Sequence, residues 1–488
     1  MTKKIVLSAL TILTLLFVGC INDTLITSNN EINDFVWKGM NSWYNWQSDV
    51  EDLSNSKDDN NASYTSFLNS YAGPEELFDN LLFDYPNTDR FSWFVEDYEV
   101  QAQQFQGISK SFGFRLQAVI INDDNDIIFY VRYVAPNSPV SNAGIKRGDI
   151  FNGIDGVILN ESNYNDTVGK LSNETITLSF VSESGGVLSF IEDKTIMSIE
   201  LSENPVHFKK VFNDINGKKV GYLVYNGFRS SYNDELNEAI AFFIAEGIEE
   251  LVLDLRLNGG GSVQTMGYLA SMLYANGGND KVAELIWNSK HTDQNSSYYL
   301  ENTMNVYDSN GTKTGEQPIN RLNQISRLYA LTSGSTASAS EAIINGLRAY
   351  IPVKTIGTTT YGKNVGSITL YDSPSSDYTN KSSANSSHKN AMQPITFQIY
   401  DKFGQSDYTQ GFDPDIEVKE YQFWNSILPF GDENEVVLKA ALDDIRGVSA
   451  KSLPTSLYKN MIELEVLPLE KRFDKEMYID HDFFDYNQ

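Results

Sequence analysis

Ser338 and Lys363 are the two residues whose types and spacing could support covalent catalysis. They lie 25 positions apart (363 − 338 = 25), Ser338 in a run of small residues and Lys363 in a turn that follows a glycine. A serine hydroxyl becomes an effective nucleophile when a base removes its proton. A lysine can be that base only if its surroundings lower its pKa towards neutrality. The pair therefore predicts acyl transfer by a serine nucleophile with a lysine base.

A third segment could supply the donors that such a reaction needs. Asn258, Gly259, Gly260 and Gly261 follow a strand-like apolar run at 251–256. Backbone without side chains can approach a reacting carbonyl closely and donate N–H groups to its oxyanion. Each of the three patterns is weak alone, because small-residue runs usually cap helices, glycine triplets usually form turns and lysines are usually solvated.

The elements that must position these residues indicate an α/β core over residues 201–430. Strand and helix patterns alternate there, which is typical of a sheet covered by helices. Residues 276–324 have only weak strand signals, so no element is predicted there, and 373–390 is predicted to be a loop. The predicted strands are 220–225, 251–256, 327–332 and 353–357, and the predicted helices are 231–246 and 263–275.

Residues 107–200 differ in character from this core. Two strands are predicted at 113–121 and 127–134 with a turn at 123–126, and 134–156 resembles a bacterial PDZ domain. PDZ domains bind a peptide C-terminus as an added strand and hold its carboxylate with backbone N–H groups. The resemblance implies that Phe112, Gly113 and Phe114 form the carboxylate loop. A PDZ fold that acts only as a spacer or clamp is the alternative.

The two ends of the folded body are predicted to be helical. Residues 35–106 carry aromatic and aliphatic residues at helical spacing, interpreted as the core of a small domain, with a ligand-binding aromatic box as the alternative. Residues 431–488 are predicted to form a C-terminal helical tail that begins with a helix at 436–445. The fold class expected is thus multi-domain α/β (α+β). The apolar positions at 35–106 are Phe35, Trp37, Met40, Trp43, Tyr44, Trp46, Leu77, Phe78, Leu81 and Leu82.

The start of the chain has a targeting pattern. Two lysines precede an apolar run at 5–18, and Cys20, the single cysteine, follows it. This resembles a bacterial lipoprotein signal, so residues 1–19 are predicted to be a signal peptide, Cys20 the lipidated residue and 20–34 a tether. An ordinary cleaved signal or an uncleaved anchor is the alternative. The expected location is the bacterial cell envelope, and a lipidated Cys20 would leave no thiol for a disulfide or metal site.

Taken together, the motifs resemble the carboxyl-terminal processing (tail-specific) serine protease family. The resemblance rests on 254–261, 336–341, 361–363 and the PDZ-like region, and covers roughly residues 107–430. It implies that Ser338, between Ser335 and Ser340, is the nucleophile and Lys363 the base. It also implies that the N–H groups of Ala339 and of Gly260 or Gly261 form the oxyanion hole.

Two positions depart from the family pattern. Many members have a glutamine four residues after the lysine, where it orients the amine, and this chain has Ser367. Ser367 is therefore the candidate orienter, with a shorter reach. The usual proline of the glycine loop is Gly259 here, which makes the loop more flexible.

Other chemistries find little support in the sequence. None of the four histidines, His207, His291, His388 and His481, lies in a setting that resembles a Ser-His-Asp triad, and no zinc-helix or phosphate-loop motif is present. No cofactor and no metal are implied. A net charge of −28 argues against nucleic acid as a partner.

The expected function is an envelope-anchored endopeptidase acting on protein or peptide substrates through their C-terminal tails. A catalytically silent peptide-binding scaffold of the same fold is the first alternative. An envelope protein that grips a partner through its aromatic N-terminal domain is a further one. The sequence leaves the substrate, the membrane leaflet and the oligomeric state open.

Overall fold

A computed structural model describes residues 17–121, 126–274, 280–323, 325–448, 461–466 and 472–479, without the side chains of 17–29 and 472. The chain divides into two compact units. The first comprises residues 1–99, 287–295 and 367–397, and the second comprises 100–286, 296–366 and 398–488. Residues 1–16 of the predicted signal peptide, residues 123–125 of the predicted turn and His481 lie outside the described residues.

The first unit is mainly helical. Its helices are Phe17–Trp43, Asn61–Leu68 and Pro74–Asn80, with single 3₁₀ turns at Gln47–Asp49, Glu51–Leu53, Thr292–Gln294, Pro374–Ser376 and Lys381–Ser383. A three-stranded sheet has the order Trp93–Val95, Ala391–Gln393, Leu370–Tyr371. The first helix includes residues 20–34, which the sequence predicted to be a tether. No helix in the described part of the chain has both the length and the apolarity needed to cross a membrane.

The aromatic residues of this unit form its core, as predicted. Phe35, Trp37, Trp43 and Tyr44 are all buried, as are the predicted aliphatic positions and Phe78, whereas Trp46 is half-buried. Tyr44 donates a hydrogen bond of 2.6 Å to Asp89, which provides its buried hydroxyl with a partner. These rings therefore stabilise the unit and do not line an open box.

The region 107–202 of the second unit is β-rich. Its main sheet has the order Ile462–Leu464, Phe114–Ile120, Ile127–Val134, Ile150–Ile154, Thr175–Ser184, Val187–Met197, with Val157–Ile158 paired to Ile150–Ile154. Ile108–Ser111 pairs separately with Ile199–Ser202. The helices Tyr98–Phe105, Pro139–Asn142 and Tyr164–Gly169 and the 3₁₀ turn Lys170–Ser172 complete this stretch of the chain.

The rest of the second unit contains the predicted α/β core. The central sheet has the order Val206–Ile215, Lys218–Tyr225, Glu250–Asp254, Leu328–Thr332, Val353–Gly357, Ile416–Glu417, and all pairs after the first are parallel. The helices are Asn233–Glu246, Val263–Leu273, Ala339–Arg348 and Val436–Ile445, and the 3₁₀ segments are Ser230–Tyr232, Glu420–Ser426 and Arg472–Lys475. Because parallel strands end at the same edge of a sheet, this order brings the loops after residues 254 and 332 together.

The segment 276–324, for which the sequence predicts no element, contains strands. Lys281–Trp287 pairs antiparallel with Ser296–Tyr299, and Thr303–Tyr307 pairs antiparallel with Lys313–Pro318. Two other strands, Val365–Ser367 and Ile395–Tyr400, contain positions at which the chain passes from one unit to the other.

The C-terminal tail differs from its predicted helical form. After the helix Val436–Ile445, its described residues form the strands Ile462–Leu464 and Met477–Tyr478. Ile462–Leu464 joins the strand Phe114–Ile120, and Met477–Tyr478 pairs in parallel with Gly261–Ser262. Both strands take their backbone partners from segments more than 200 residues away, and this long-range pairing outweighs local helix preference.

Candidate active site

Ser338 lies between the strand Leu328–Thr332 and the helix Ala339–Arg348. It has φ 64° and ψ −120°, a conformation that is strained for a residue other than glycine. Its side chain is fully buried, and its hydroxyl makes no hydrogen bond among the described residues. A strained backbone and a buried hydroxyl without a partner are not needed to form the fold. A serine that has both at a helix N-terminus is therefore typical of a functional residue.

The glycine loop lies directly against Ser338. A Cβ placed on Gly260 would be 2.6 Å from the Ser338 Cβ and 3.0 Å from the amide nitrogen of Ala339. Gly260 has φ 111° and Gly261 has φ 135°, so both positions favour glycine. The structure therefore brings Gly260 and Ala339, the two predicted oxyanion donors, to the predicted nucleophile. Gly261 is further tied to Phe228 by a parallel β-bridge.

In this state the Gly260 amide already has a partner. Its N–H donates a hydrogen bond of 2.9 Å to the Asn258 side-chain oxygen. The carbonyl of Asn258 in turn accepts hydrogen bonds from Ala337 N–H and from the Ser340 hydroxyl, at 3.2 Å and 3.0 Å. The loop is thus fixed to the serine turn, and Gly260 would have to share or release its bond to bind an oxyanion.

Glu341 joins the nucleophile turn to the lysine turn. One of its carboxylate oxygens accepts the N–H groups of Ser338 and Lys363, at 2.9 Å and 2.8 Å. The other accepts the N–H of Gly362 at 2.7 Å and the hydroxyl of Thr360 at 2.6 Å. Burial raises the pKa of Glu341 above the ordinary glutamate value, and these four bonds offset part of the rise. Sequence reasoning missed this role, although a glutamate three residues after a serine at a helix start is a capping signal.

Replacing Glu341 with glutamine is expected to lower both stability and activity. The NH₂ group of the glutamine would replace one carboxylate oxygen, which now accepts two hydrogen bonds from backbone or hydroxyl donors. Those two donors would lose their acceptor, and an unsatisfied buried donor costs about 1–3 kcal/mol. We expect the melting temperature to fall and peptide cleavage to decrease by about 100-fold, since the two turns lose their common anchor. The exposed Glu316→Gln is the matched control and should change neither. Full activity in Glu341→Gln would contradict the role assigned to this carboxylate.

The Lys363 side chain is fully buried and pairs with a glutamate of the C-terminal tail. Its Nζ lies 3.1 Å from Oε1 of Glu476, which is also buried. Glu476 follows Lys363 by 113 residues (476 − 363 = 113), in the tail that the sequence predicted to be helical. No local signal in the sequence could have connected the two residues.

The remaining predicted residues lie in different places. Ser367 belongs to the first unit, and its hydroxyl accepts a hydrogen bond of 2.9 Å from Gln393 of the same unit, so its role as lysine orienter stays a prediction. In the Phe112–Phe114 loop, Gly113 has φ 85° and its carbonyl accepts the Ala135 N–H. Cys20 lies in the helix Phe17–Trp43, and its side chain is outside the described part, so lipidation also stays a prediction.

The described histidines occupy other surroundings. His207 packs against Tyr133 and Phe430, and burial lowers its pKa to about 4. His388 lies 3.1 Å from Asp372 in the first unit. The described residues also contain no group of histidine, cysteine and acidic side chains that could hold a metal.

Comparison with known proteins agrees with this geometry. The family description Peptidase family S41 matches residues 219–418, and Peptidase S41 N-terminal domain matches residues 31–93. The chain belongs to the carboxyl-terminal processing serine proteases of peptidase family S41. The matched core contains the glycine loop, Ser338 and Lys363, so the residues brought together above lie within the part that defines the S41 family.

Individual S41 proteins extend the comparison. The chain is 25% identical over 248 residues to the carboxyl-terminal-processing protease of Picosynechococcus, covering 50% of this chain and 53% of that protein. It is 25% identical over 281 residues to the chloroplastic carboxyl-terminal-processing peptidase 2 of Arabidopsis thaliana, covering 56% and 50%. The chain spans about half the length of the curated relatives it matches.

A solved S41-family structure from Bacteroides fragilis has the same fold. It superimposes with a TM-score of 0.65 at 25% identity, covering 85% of this chain and 97% of that one. The mixed α/β architecture with a helical N-terminal region is therefore that of the S41 peptidases, as the sequence predicted.

An ion cluster supports the strand that leads into the glycine loop of this S41 peptidase. Arg256 bonds to Asp254 at 2.7 Å and to Glu420 and Glu435 at 2.9 Å. Arg147 of the β-rich region also pairs with Glu420. Burial opposes ionisation of Glu420, but the surrounding arginines outweigh it and lower its pKa. Residues 254–256, the Asp-Leu-Arg part of the family motif, therefore position the backbone before Gly260. They make no hydrogen bond to the Ser338 hydroxyl among the described residues.

Proposed function

We propose that this S41 peptidase is a serine endopeptidase that cleaves protein substrates with a Ser338–Lys363 dyad. The observation that carries the proposal is the shared carboxylate of Glu341, which accepts the amides of both residues beside the glycine loop. The neutral Lys363 amine would take the Ser338 proton as the hydroxyl oxygen attacks a peptide carbonyl. The N–H groups of Ala339 and Gly260 would then stabilise the oxyanion.

The second half of the reaction follows from the same groups. The Lys363 ammonium would return its proton to the leaving amine as the peptide bond breaks, which leaves the acyl group on Ser338. Water, deprotonated by Lys363, would then hydrolyse this ester and regenerate the serine. The reaction needs no group beyond these residues, the substrate and water.

Substrate recognition is proposed to use the β-rich region as a PDZ-like module. Its strand Phe114–Ile120 follows the Phe112–Phe114 loop, the arrangement in which a peptide C-terminus adds as a strand. The pattern that ends at Cys20 supports anchoring through a lipid in the bacterial cell envelope. Substrates would then be envelope proteins or peptides with accessible C-terminal tails.

A silent scaffold of the same fold is the second candidate. It is favoured by two contacts, the bond from Gly260 N–H to Asn258 and the ion pair between Lys363 and Glu476, because each occupies a group that catalysis requires. The proposal of a partner-gripping N-terminal domain loses support, since most of the aromatic residues it would use are buried.

Reaction with a fluorophosphonate probe separates the two candidates. Such a probe modifies a serine hydroxyl that a nearby base activates. For an enzyme we expect a mass increase on the peptide containing Ser338, loss of labelling after heat denaturation, and cleavage of an unfolded protein substrate. Peptide binding without labelling or cleavage would instead support the scaffold. Labelling at Ser335 or Ser340 would contradict the choice of nucleophile.

A further inference from the structure

The C-terminal tail enters the groove where a PDZ-like module would bind a peptide. Ile462, Glu463 and Leu464 pair antiparallel with Ile120, Val119 and Ala118. Gln117 donates a side-chain hydrogen bond of 2.9 Å to the Leu464 carbonyl, and Tyr164 donates one of 2.7 Å to the Glu465 carbonyl. The tail is thus held by the strand Phe114–Ile120 on one side and by the start of the helix Tyr164–Gly169 on the other.

Side chains of the tail also enter the apolar interior of this region. Val466 is only 4% exposed and belongs to the same apolar cluster as Phe112 and Phe114, and Leu464 packs against that cluster. Glu463 and Glu465, on the opposite face, are exposed, and so is Ile462 at the start of the strand. The alternation matches a strand with one face in a groove, so that Leu464 and Val466 are the anchoring residues.

The second described piece of the tail, 472–479, passes over the catalytic residues. A Cβ on Gly259 would collide with the carbonyl oxygen of Asp474, and one on Gly260 would be 2.7 Å from the carbonyl oxygen of Glu476. Met477 and Tyr478 then pair with Gly261 and Ser262. Gly259, where the family usually has proline, is therefore the position at which a side chain would exclude the tail.

Three contacts fix this piece of the tail in the cleft. Tyr478 stacks on Phe105 with ring centroids 4.0 Å apart and donates a hydrogen bond to its carbonyl. Glu476 pairs with Lys363 at 3.1 Å. The amine that would act on Ser338 is thereby bound by the tail. The tail therefore lies against the glycine loop beside the serine and occupies the side chain of its proposed base.

We propose that the described tail, 461–466 and 472–479, is an internal peptide ligand that occupies the peptide groove and the catalytic cleft until a substrate displaces it. The proposal rests on the proposed function and specifies its substrate class. A competing substrate would be an extended peptide with aliphatic residues at alternate positions, like Leu464 and Val466. An acidic residue facing Lys363 would bind as Glu476 does and slow its own cleavage.

The test uses the full-length protein with Val466→Asp, which places a charge in the apolar groove. Ile462→Asp, at an exposed position of the same strand, is the matched control. Hydrogen–deuterium exchange is measured for the amides of 114–120 and 462–464. We expect exchange to accelerate about tenfold or more in Val466→Asp alone, because a buried valine contributes to holding the strand. Equal exchange in wild type and Val466→Asp would overturn the proposal.

Activity gives the second readout, and Glu476→Gln is the second variant because it keeps the shape of the side chain. We expect the rate of fluorophosphonate labelling at Ser338 and of peptide cleavage to rise about tenfold in Val466→Asp and in Glu476→Gln, but not in Ile462→Asp. A fall in kcat for Glu476→Gln would overturn the proposal and make Glu476 a positioning residue of the working site. If no variant is labelled although exchange shows that the tail is released, the proposed function fails and the tail remains the internal ligand.

Discussion

Ser338→Ala is expected to abolish peptide cleavage while leaving the protein as stable as the wild type or slightly more stable. Loss of the nucleophile of a serine peptidase lowers kcat by about 10⁴–10⁶-fold. The Ser338 hydroxyl is buried and makes no hydrogen bond among the described residues, and relieving such a group is worth about 1 kcal/mol. Activity and thermal unfolding of the purified variant check both parts.

The neighbouring serine Ser335 provides the matched control. Ser335→Ala removes a hydroxyl from the same turn, and Ser335 also lines the cleft beside Gly259 and Gly260. We expect this variant to retain cleavage within about threefold, since its side chain has no step in the proposed reaction. Retained cleavage in Ser338→Ala, or its loss in Ser335→Ala alone, would contradict the assignment of the nucleophile.

The local parts of the site could be predicted from the sequence because short segments specify them. The strand before Ser338, the small residues of its turn and the helix after it are adjacent in the chain. The order of parallel strands then places the loop after Asp254 beside that turn. For this reason Ser338, Ala339 and Gly260 were brought together as expected.

The parts that sequence reasoning missed depend on contacts between distant segments. Glu341 was visible as a helix-capping residue, but its bonds to Gly362 and Lys363 depend on how the two turns meet. Glu476 and the strand Ile462–Leu464 take partners more than 100 residues away, and strand preference depends on such partners more than on local sequence. When the partner strands of the tail are not known, nothing in its local sequence excludes a helix.

Lys363→Arg is expected to abolish cleavage although it preserves the positive charge. An arginine stays protonated at every pH at which the protein is folded, so it cannot accept the Ser338 proton. Loss of a general base costs about 10²–10⁴-fold in rate. The arginine would still form an ion pair with Glu476, so we expect little loss of stability. A loss of activity without a loss of stability would identify the lysine as a base.

Lys363→Met separates the two roles further, because it leaves the Glu476 carboxylate buried without this cation. Breaking a buried ion pair from one side destabilises a protein by about 3–5 kcal/mol. The double variant Lys363→Met with Glu476→Gln should regain most of that stability, measured by denaturant unfolding, and yet remain inactive. Cleavage by Lys363→Arg or by the double variant would show that the lysine is only a structural cation, and the base for Ser338 would then have to be another group.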